Sequence, residues 1–569
     1  MVATALLTWV CAFALTPLVA RWAVRHGWVD KPNRDRWHHT PTARLGGIAI
    51  YAGWLLGILA TAVWSGPGLL GMQGWALIGA TAIVFGLGLW DDMRTILPLP
   101  KFLGQIAAVS LLLFAGVAVD FLPPGPLNWI VTGFWLLGVT NALNLLDNMN
   151  GLCSGVSAIA GIAMAAYAAT LYPQPTVVML GLALAAACLG FIPFNARYGR
   201  QALVFMGDCG SQFLGFTLAA LAVMGRWHAP GLLRLDMLLP ILILAVPLFD
   251  TTLAICARKL EDRPISRGGR DHFSHRLVFL GLSDFQAVGS LWLMTAAFSL
   301  LALPLAYGSS HWLLAAAVPP LAVALYSLGV FLSTQRQAGQ QVPRPHRLRA
   351  FQLGEVKPLM IAQDLALTTA AWGAALMFQA AGHPTGTHLQ GCIQALPILL
   401  AMVVGTFLVG GVYRRSWPGV SARDSLYLGG LVLAAHGLAG VLFLMLPAPQ
   451  LAAGVDLLGF STLATYLLIK ADRYAVPLWR ELFALWPLRR PPLRVAIIGS
   501  GTAGLSVLQR LDADGVSVVR IAGPDDIDEV LAQDQPELVL LADDEPLEQQ
   551  HRVVEACLAT GRSWLPAPV

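Results

Sequence analysis

The chain reads as an all-α polytopic membrane protein, about 11 + 4 transmembrane helices, that ends in a small cytoplasmic α/β domain. Three observations carry that expectation. Of its 569 residues, 56% are hydrophobic and 12% charged, with a mean hydropathy of +0.66; a water-soluble core of this size could not hide so much apolar surface. Apolar runs of about 20 residues, long enough to cross hydrocarbon, repeat with short breaks from Ala3 to about Lys470. From Leu493 onward the pattern changes to short apolar strands alternating with helical stretches.

Taken in order, residues 1–335 hold about eleven of the apolar segments and form one membrane domain. The first is expected to stay as a span, because it has no basic start and no clear small-residue cleavage site. Residues 336–357 are rich in Gln, Arg and Pro and read as a linker. A four-helix anchor follows over 358–472, with segments at about Pro358 to Gln379, Cys392 to Val412, Ser425 to Leu446 and Leu451 to Lys470. Residues 473–492 form a basic linker, and 493–569 the α/β domain.

Orientation follows from the basic loops, since Lys and Arg stay on the cytoplasmic side. The strongest run from Arg21 to Arg44, Arg258 to Arg276, Arg336 to Lys357, Arg414 to Arg423 and Arg473 to Arg494. Eleven plus four crossings place all of them on one face, with the amino terminus outside. The net charge of +4 is modest and sits in these loops, so nucleic acid is not an expected partner. Seven cysteines without CxxC spacing support neither a disulfide framework nor a zinc site.

Four polar clusters fall on that same face: Asp91-Asp92, the run from Asn141 to Gly151, FMGDCGS from Phe205 to Ser211, and RDHFSHR from Arg270 to Arg276. The opposite turns, such as LPPGP at Leu122 to Pro126, are nearly uncharged. Carboxylates and histidines are costly near a bilayer, so their recurrence on alternate turns marks a shared active site. Asp91-Asp92 closes the third apolar segment, Asp147 follows the fifth and Asp208 opens the eighth. Acids converging there suit a divalent cation, Mg²⁺ or Mn²⁺ in its place, which keeps waters and shares its shell with phosphates. His272, His275, Arg270, Arg276, Arg44 and Lys101 lie on the same face as partners for phosphate. Together they point to phosphoryl transfer. Gly207 and Gly210 flank Asp208 and let the backbone approach a ligand where a helix begins, its amino end facing the phosphates. Three of the clusters have a plainer alternative: Asp208 as a helix cap, Asp91-Asp92 as helix-end acids, Asn141 and Asn144 bonded to each other. Their combination in this order on one face outweighs those alternatives.

The motifs KPNRDRWHHTPTARLGG, GLWDDM, NALNLLDNMNGL, PFNARYGRQALVFMGDCGS and RPISRGGRDHFSHRL resemble, in order, those of the polyprenyl-phosphate N-acetylhexosamine-1-phosphate transferases, the WecA and MraY group. The resemblance covers about residues 1 to 335. It implies a bundle of about ten or eleven helices with a cytoplasmic cleft in a bacterial inner membrane. It also implies transfer of a sugar-1-phosphate from a UDP-sugar to undecaprenyl phosphate with release of UMP; between direct attack and a covalent enzyme intermediate, direct attack is favoured, since a phosphate oxygen is already a competent nucleophile once a metal neutralises the diphosphate. Asp208 would then be the principal metal ligand. Asp91 and Asp92 would deprotonate or position the lipid phosphate, and Asp147 would stand at the nucleotide pocket. Asn195 and Phe205 would hold the nucleotide, the Phe by stacking on uracil. His272 and His275 would contact the diphosphate. HFSH replaces the three-histidine run typical of the MraY branch, which favours the WecA branch and a simple UDP-N-acetylhexosamine. Asn150 stands where many bacterial members have an acid and can neither act as a base nor bring charge.

In the carboxyl-terminal third, GGVYRRSWPGVSARDSLYL resembles the membrane anchor of CapD-type dehydratases and WbaP-type phosphoglycosyl transferases. LRVAIIGSGTAGLSVLQRL places a GxGxxG at Gly499, Gly501 and Gly504 between a strand and a helix, a Rossmann-like pattern. About 75 residues remain there and the usual acid after the second strand is missing. A truncated module that contacts protein or senses a nucleotide is therefore expected, and with it a homodimer or polysaccharide-assembly partners. Two rival classes stand against the transferase. A lipid-saccharide transporter would show charges buried at mid-membrane depth and inverted repeats, and the sequence displays neither. An inert scaffold finds support in Asn150 alone.

Overall fold

The structure, a computed structural model, describes residues 1–30, 42–94, 96–119, 124–170, 173–197, 201–225, 238–260, 263–264, 271–302, parts of 321–332, 357–379, 386–414, 421–446, 449–485, 493–499, 516–533, 536, 538–541, 547–560 and 563–566. The first part is helical: α1 Val2–Arg25, α2 Gly47–Ser65, α3 Gly71–Met93, α4 Pro98–Phe114, α5 Pro126–Leu146, α6 Leu152–Thr170, α7 Pro175–Asn195, α8 Asp208–Met224, α9 Leu238–Ile243, α10 Ala245–Leu260, α11 Phe273–Phe279 and α12 Asp284–Leu301. Among the described residues, ten helices of the whole chain are long and apolar enough to cross a membrane, and α4 and α8 are shorter apolar helices.

The ninth expected span is two helices, because α9 stops at Ile243 and α10 starts afresh at Ala245; Pro240 and Pro247 flank the break and neither can donate to a helix ladder. Of the eleventh, parts of 321–332 are described. Asp91-Asp92, Asp147 and Asp208 stand at the ends of α3, α5 and α8.

Helix α8 is the axis of this part. Every residue from Cys209 to Ala222 is buried, and α3, α5, α2, α6 and α7 pack around it. A helix whose residues are small, apolar or hydrogen-bonded within the bundle can be enclosed on all sides. On α1 the buried positions are Thr4, Thr8, Ala12, Thr16, Ala20 and Ala23, a stripe of small residues recurring every third or fourth position. Leu6, Trp9, Val10 and Phe13 remain exposed and suit lipid. Small residues let membrane helices approach where lipid supplies no hydrophobic drive. A Cβ on Gly53 would lie 2.9 Å from Ala12 and one on Gly190 2.8 Å from the Trp9 carbonyl.

The four helices expected to form an anchor are Lys357–Gln379, Gly386–Val409, Ala422–Met445 and Leu458–Leu485, with Trp372, Phe407 and Phe443 in their shared core. The last helix continues to Leu485 through what the sequence suggested was linker. Among the contacts that hold it, Arg473 Nη2 reaches both oxygens of buried Asp364 at 2.9 and 2.8 Å, and Trp479 Nε1 donates to Ser327 Oγ at 2.9 Å. Beyond the anchor, β3 Leu493–Ile498, β4 Val516–Ala522, β5 Leu538–Leu541 and β6 Ser563–Pro566 pair in parallel in the order β4-β3-β5-β6. Helices Ile527–Gln533 and Leu547–Thr560 connect the later strands.

The closest helix approach in the membrane part makes a stability prediction. A Cβ on Gly47 would sit 2.3 Å from the Gly210 backbone nitrogen, and one on Gly88 2.6 Å from Cys209 Cα, whereas one on Gly86 meets nothing within 4 Å. Gly47→Ala and Gly88→Ala are each expected to destabilise by about 1–3 kcal/mol, while Gly86→Ala stays neutral or stabilises. Thermal unfolding in detergent measures this; equal melting of all three would contradict the packing.

Candidate active site

The site begins at the corner where α3 ends and α8 starts. Both Asp92 carboxylate oxygens are engaged there: Oδ1 accepts from Asp208 N and Oδ2 from Cys209 N, each at 2.9 Å. Orphan N–H groups at a helix start need acceptors, and α8 has no side-chain cap of its own. Asp92, reaching across from α3, supplies one. Gly207 makes room for it, with φ at +78° and Asp92 Oδ2 2.6 Å from where a Cβ would stand. Gly210 instead faces Gly47 and Met206, and the next donors, Gly210 N and Ser211 N, bond to Gly207 O. One expectation is corrected: the amino end of α8 is already satisfied by protein, and Gly210 serves helix packing. Asp92 caps α8, each of its oxygens accepting one backbone N–H.

Asp91 and Asp208 are joined by Lys101 from α4. Its Nζ is 2.8 Å from Asp91 Oδ2 and pairs closely with Asp208 Oδ2. Ile96 N also donates to Asp91 Oδ1 at 3.0 Å. Asp208 accepts from Asn144 Nδ2 at 3.1 Å and from Gln212 Nε2 at 3.2 Å. Asn144 also donates to Ser211 Oγ, and Asn141 bonds through Gln105 to Gln212. Asn141 and Asn144 thus reach separate partners on α4 and α8 rather than each other. Such a network suits an apolar bundle, where an unpaired amide is costly. Asp147, at the end of α5, is pushed up to about 8 by burial, with the Asp208 and Asp92 charges adding to it.

The histidine motif packs between α10 and α11. His272 is buried, its Nδ1 2.8 Å from Asp250 Oδ2, while Asp250 Oδ1 accepts from Phe273 N at 2.5 Å. Arg258 Nη2 lies 3.4 Å from His272 Nε2, and Arg258 and Arg263 both pair with Asp271 at 3.0 and 2.7 Å. Burial would raise the Asp271 carboxyl, but the two arginines outweigh it and hold it below the usual carboxylate range. Ser274 Oγ donates to Asn148 Oδ1 at 2.7 Å, which ties this loop to the end of α5. His275 is buried, its ring centroid 6.1 Å from that of His272.

Other expected residues have structural partners. Arg276 reaches Asp271 O at 2.8 Å and Leu332 O at 2.7 Å and is buried, so it braces the eleventh segment rather than offering a phosphate contact. Arg44 pairs with Asp30 at 2.7 Å, joining β1 Val29–Asp30 to the residue after β2 Thr42–Ala43. Asn195 is buried; its Oδ1 accepts from Gly151 N at 2.6 Å and its Nδ2 donates to Val204 O at 2.9 Å. It stitches loops together instead of presenting its amide to a nucleotide. Phe205 is half-buried and its backbone bonds to Ala43 and Gly46. Asn150 is exposed. Gly499 bonds through its N–H to Ala522 O at 2.9 Å. Arg270, Gly501 and Gly504 lie outside the described residues. Asp250, Gln105, Gln212 and Ser211 were not singled out from sequence. Asp250 carried a signal, being an acid inside the apolar run from Leu238 to Ile255.

Among the described residues no three His, Cys, Asp or Glu side chains converge as a metal cage. A hard cation that shares phosphates needs only one or two carboxylates. Asp208, with its side chain 34% exposed, and its neighbour Asp91 fit that donor set. Two predictions follow from this geometry. Asp92→Ala should cost about 1–2 kcal/mol through the lost cap, read as a lowered melting temperature that Asp92→Asn partly restores. Asp147 favours its protonated form in the folded chain, so it lowers stability progressively as pH rises from 3.8 toward about 8. Asp147→Asn should flatten that fall in melting temperature; an unchanged pH profile would show that Asp147 is not held neutral.

Comparison with known proteins agrees with the geometry. Residues 74–226, from α3 through α8, match the model of glycosyl transferase family 4. A probable undecaprenyl-phosphate N-acetylglucosaminyl 1-phosphate transferase of Bacillus subtilis is 34% identical over 300 residues, 51% of this chain and 81% of that protein. A decaprenyl-phosphate N-acetylglucosaminephosphotransferase of Mycobacterium tuberculosis is 33% identical over 312 residues, 48% of this chain and 75% of its own. A phospho-N-acetylmuramoyl-pentapeptide-transferase of Geobacillus kaustophilus is 32% identical over 288 residues, 46% of this chain and 82% of its own. With the acidic corner of α3 and α8 lying inside the matched region, the chain belongs to the WecA and MraY family of polyprenyl-phosphate sugar-1-phosphate transferases.

Proposed function

We propose that the chain transfers an N-acetylhexosamine-1-phosphate, with UDP-GlcNAc as the best-fitting donor, to undecaprenyl phosphate and releases UMP. The product would begin a lipid-linked surface polysaccharide. The observation that carries this reading is the meeting of Asp91, Lys101, Asp208 and Asn144 at one corner, with the histidine loop tied beside it through Asn148 and Ser274. An oxygen of the lipid phosphate attacks the sugar-bearing phosphorus, and the bond between the two phosphorus atoms' bridging oxygen and that phosphorus breaks as UMP leaves. Mg²⁺, or Mn²⁺ in its place, would be held by Asp208 with Asp91 beside it and would supply charge neutralisation at the diphosphate.

This chain's own residues do the positioning. Lys101 brings a compact positive charge between two carboxylates and is placed to exchange one of them for a phosphate oxygen. Asn144 orients Asp208, and Asp92 keeps the first turn of α8 in place so that Asp208 points into the site. The histidine loop adjoins the end of α5 through the bond from Ser274 to Asn148. A donor made in the cytosol fits an inner membrane with this face toward the cytoplasm. The carboxyl-terminal sheet fits a Rossmann-like module that contacts assembly proteins or senses a nucleotide.

The test is UMP release by purified protein given undecaprenyl phosphate, Mg²⁺ and a panel of UDP-sugars. Release with a UDP-N-acetylhexosamine, stopped by EDTA, is expected. Asp208→Ala should lose about 10²–10³-fold or more of turnover while still eluting as a folded protein. Folded wild-type protein that releases nothing with any donor would defeat the transferase reading and leave the scaffold.

A further inference from the structure

Asp250 has no role in the reaction described so far, yet it is among the most buried carboxylates of the chain, 1% exposed. It is carried by α10 inside a run of apolar residues, where an acid persists only with full hydrogen-bond satisfaction. Its two oxygens go to different parts of one neighbour. Oδ2 meets His272 Nδ1 at 2.8 Å and Oδ1 accepts from Phe273 N at 2.5 Å. Phe273 is the first residue of α11, and His272, its N-cap, makes no side-chain cap bond. Asp250 therefore caps the helix that carries His275 and grips the preceding imidazole at the same time.

A carboxylate acceptor at Nδ1 puts the hydrogen on that nitrogen and leaves Nε2 as an acceptor. Nε2 in turn lies 3.4 Å from Arg258 Nη2, and Arg258 Nε bonds to Asp271 Oδ2 at 3.0 Å. Acceptor and donor thus alternate from Asp250 through His272 and Arg258 to Asp271. A ring flip or the other tautomer at His272 would turn a donor toward the guanidinium and break the alternation. The groups facing His272 are Asp250 from α10, Arg258 from the end of α10 and His275 from α11.

We propose that Asp250 is a positioning residue for the transferase: it fixes the tautomer and ring plane of His272 and, through that ring and the first turn of α11, the placement of Arg258 and His275 at the site. The proposal rests on the transferase reading above. Its chemistry is that of a carboxylate behind a histidine, where the outer partner sets which nitrogen faces inward and its removal costs about 10- to 100-fold.

A double-mutant cycle on UMP release tests it. Asp250→Asn should lower kcat about 10- to 100-fold with KM for the UDP-sugar within about 3-fold of wild type. It should cost almost nothing further in a His272→Ala background, because the group it positions is gone. Asp250→Glu, which keeps the charge, should recover part of the rate. Equal loss in both backgrounds, or full activity of Asp250→Asn, overturns the proposal. A second readout needs neither turnover nor a folded variant at Asp250: ¹⁵N-histidine NMR of the wild-type protein in detergent, with His272 assigned by its absence in His272→Ala. An Nδ1-protonated ring is expected. An Nε2-protonated or freely exchanging ring overturns the proposal even where the transferase reading stands, and a protein that shows the expected tautomer but releases no UMP defeats the transferase reading alone.

Discussion

The arrangement of the site depends on one carboxylate at the end of one helix holding the start of another. Asp92 accepts from the first two N–H groups of α8, so α3 and α8 must meet at a fixed distance and angle. That meeting is possible because Gly88 on α3 lies against the Cys209 backbone and Gly207, just before α8, leaves room for the Asp92 carboxylate, while Gly47 and Gly210 give α2 the same close approach to α8. Fixing the first turn of α8 also fixes Asp208, which opens it, and places its oxygens between Lys101, Asn144 and Gln212. Loss of the clamp would release the central helix and the principal acid of the site together.

The same physical requirement recurs through the chain. A helix bundle in an apolar medium has no water to satisfy helix ends and buried amides, so protein groups must do so. Asp250 meets it for α11 as Asp92 does for α8, each from a neighbouring helix. Gln105, Gln212 and Asn141 meet it as a ladder of amides between α4, α5 and α8. In the anchor, Asp364 and Arg473 pair across the first and last helices. Breaking a buried pair by removing one partner leaves an uncompensated charge and is far more costly than replacing both. These pairs are therefore better seen as fixing which helices adjoin than as adding net stability.

Much of the fold was legible in the linear chain. Apolar runs near the length of a bilayer crossing mark helices whatever their neighbours, and Asp91-Asp92, Asp147 and Asp208 stand at helix ends because an acid inside an apolar run is costly. The break between α9 and α10 was less legible, since the apolar run continues across it and only two prolines record it. The roles of Arg276, Arg44 and Asn195 were not legible. A basic or amide side chain in a polar loop suits a ligand and a structural brace equally well, and the choice depends on what lies within hydrogen-bond reach. For these three it is Leu332 O, Asp30 and the pair Gly151 and Val204.

Sequence by itself determined the medium, the helices and the kind of chemistry, because hydrophobicity, helix-end acids and ordered motifs are local properties of the chain. Tertiary structure decided which of those polar residues meet at one corner and which hold the scaffold. Partners such as Asp92 and Cys209, or Asp250 and His272, are separated by 117 and 22 residues. A hydrogen bond is defined by a distance of about 3 Å, which only the packing of helices against one another can set.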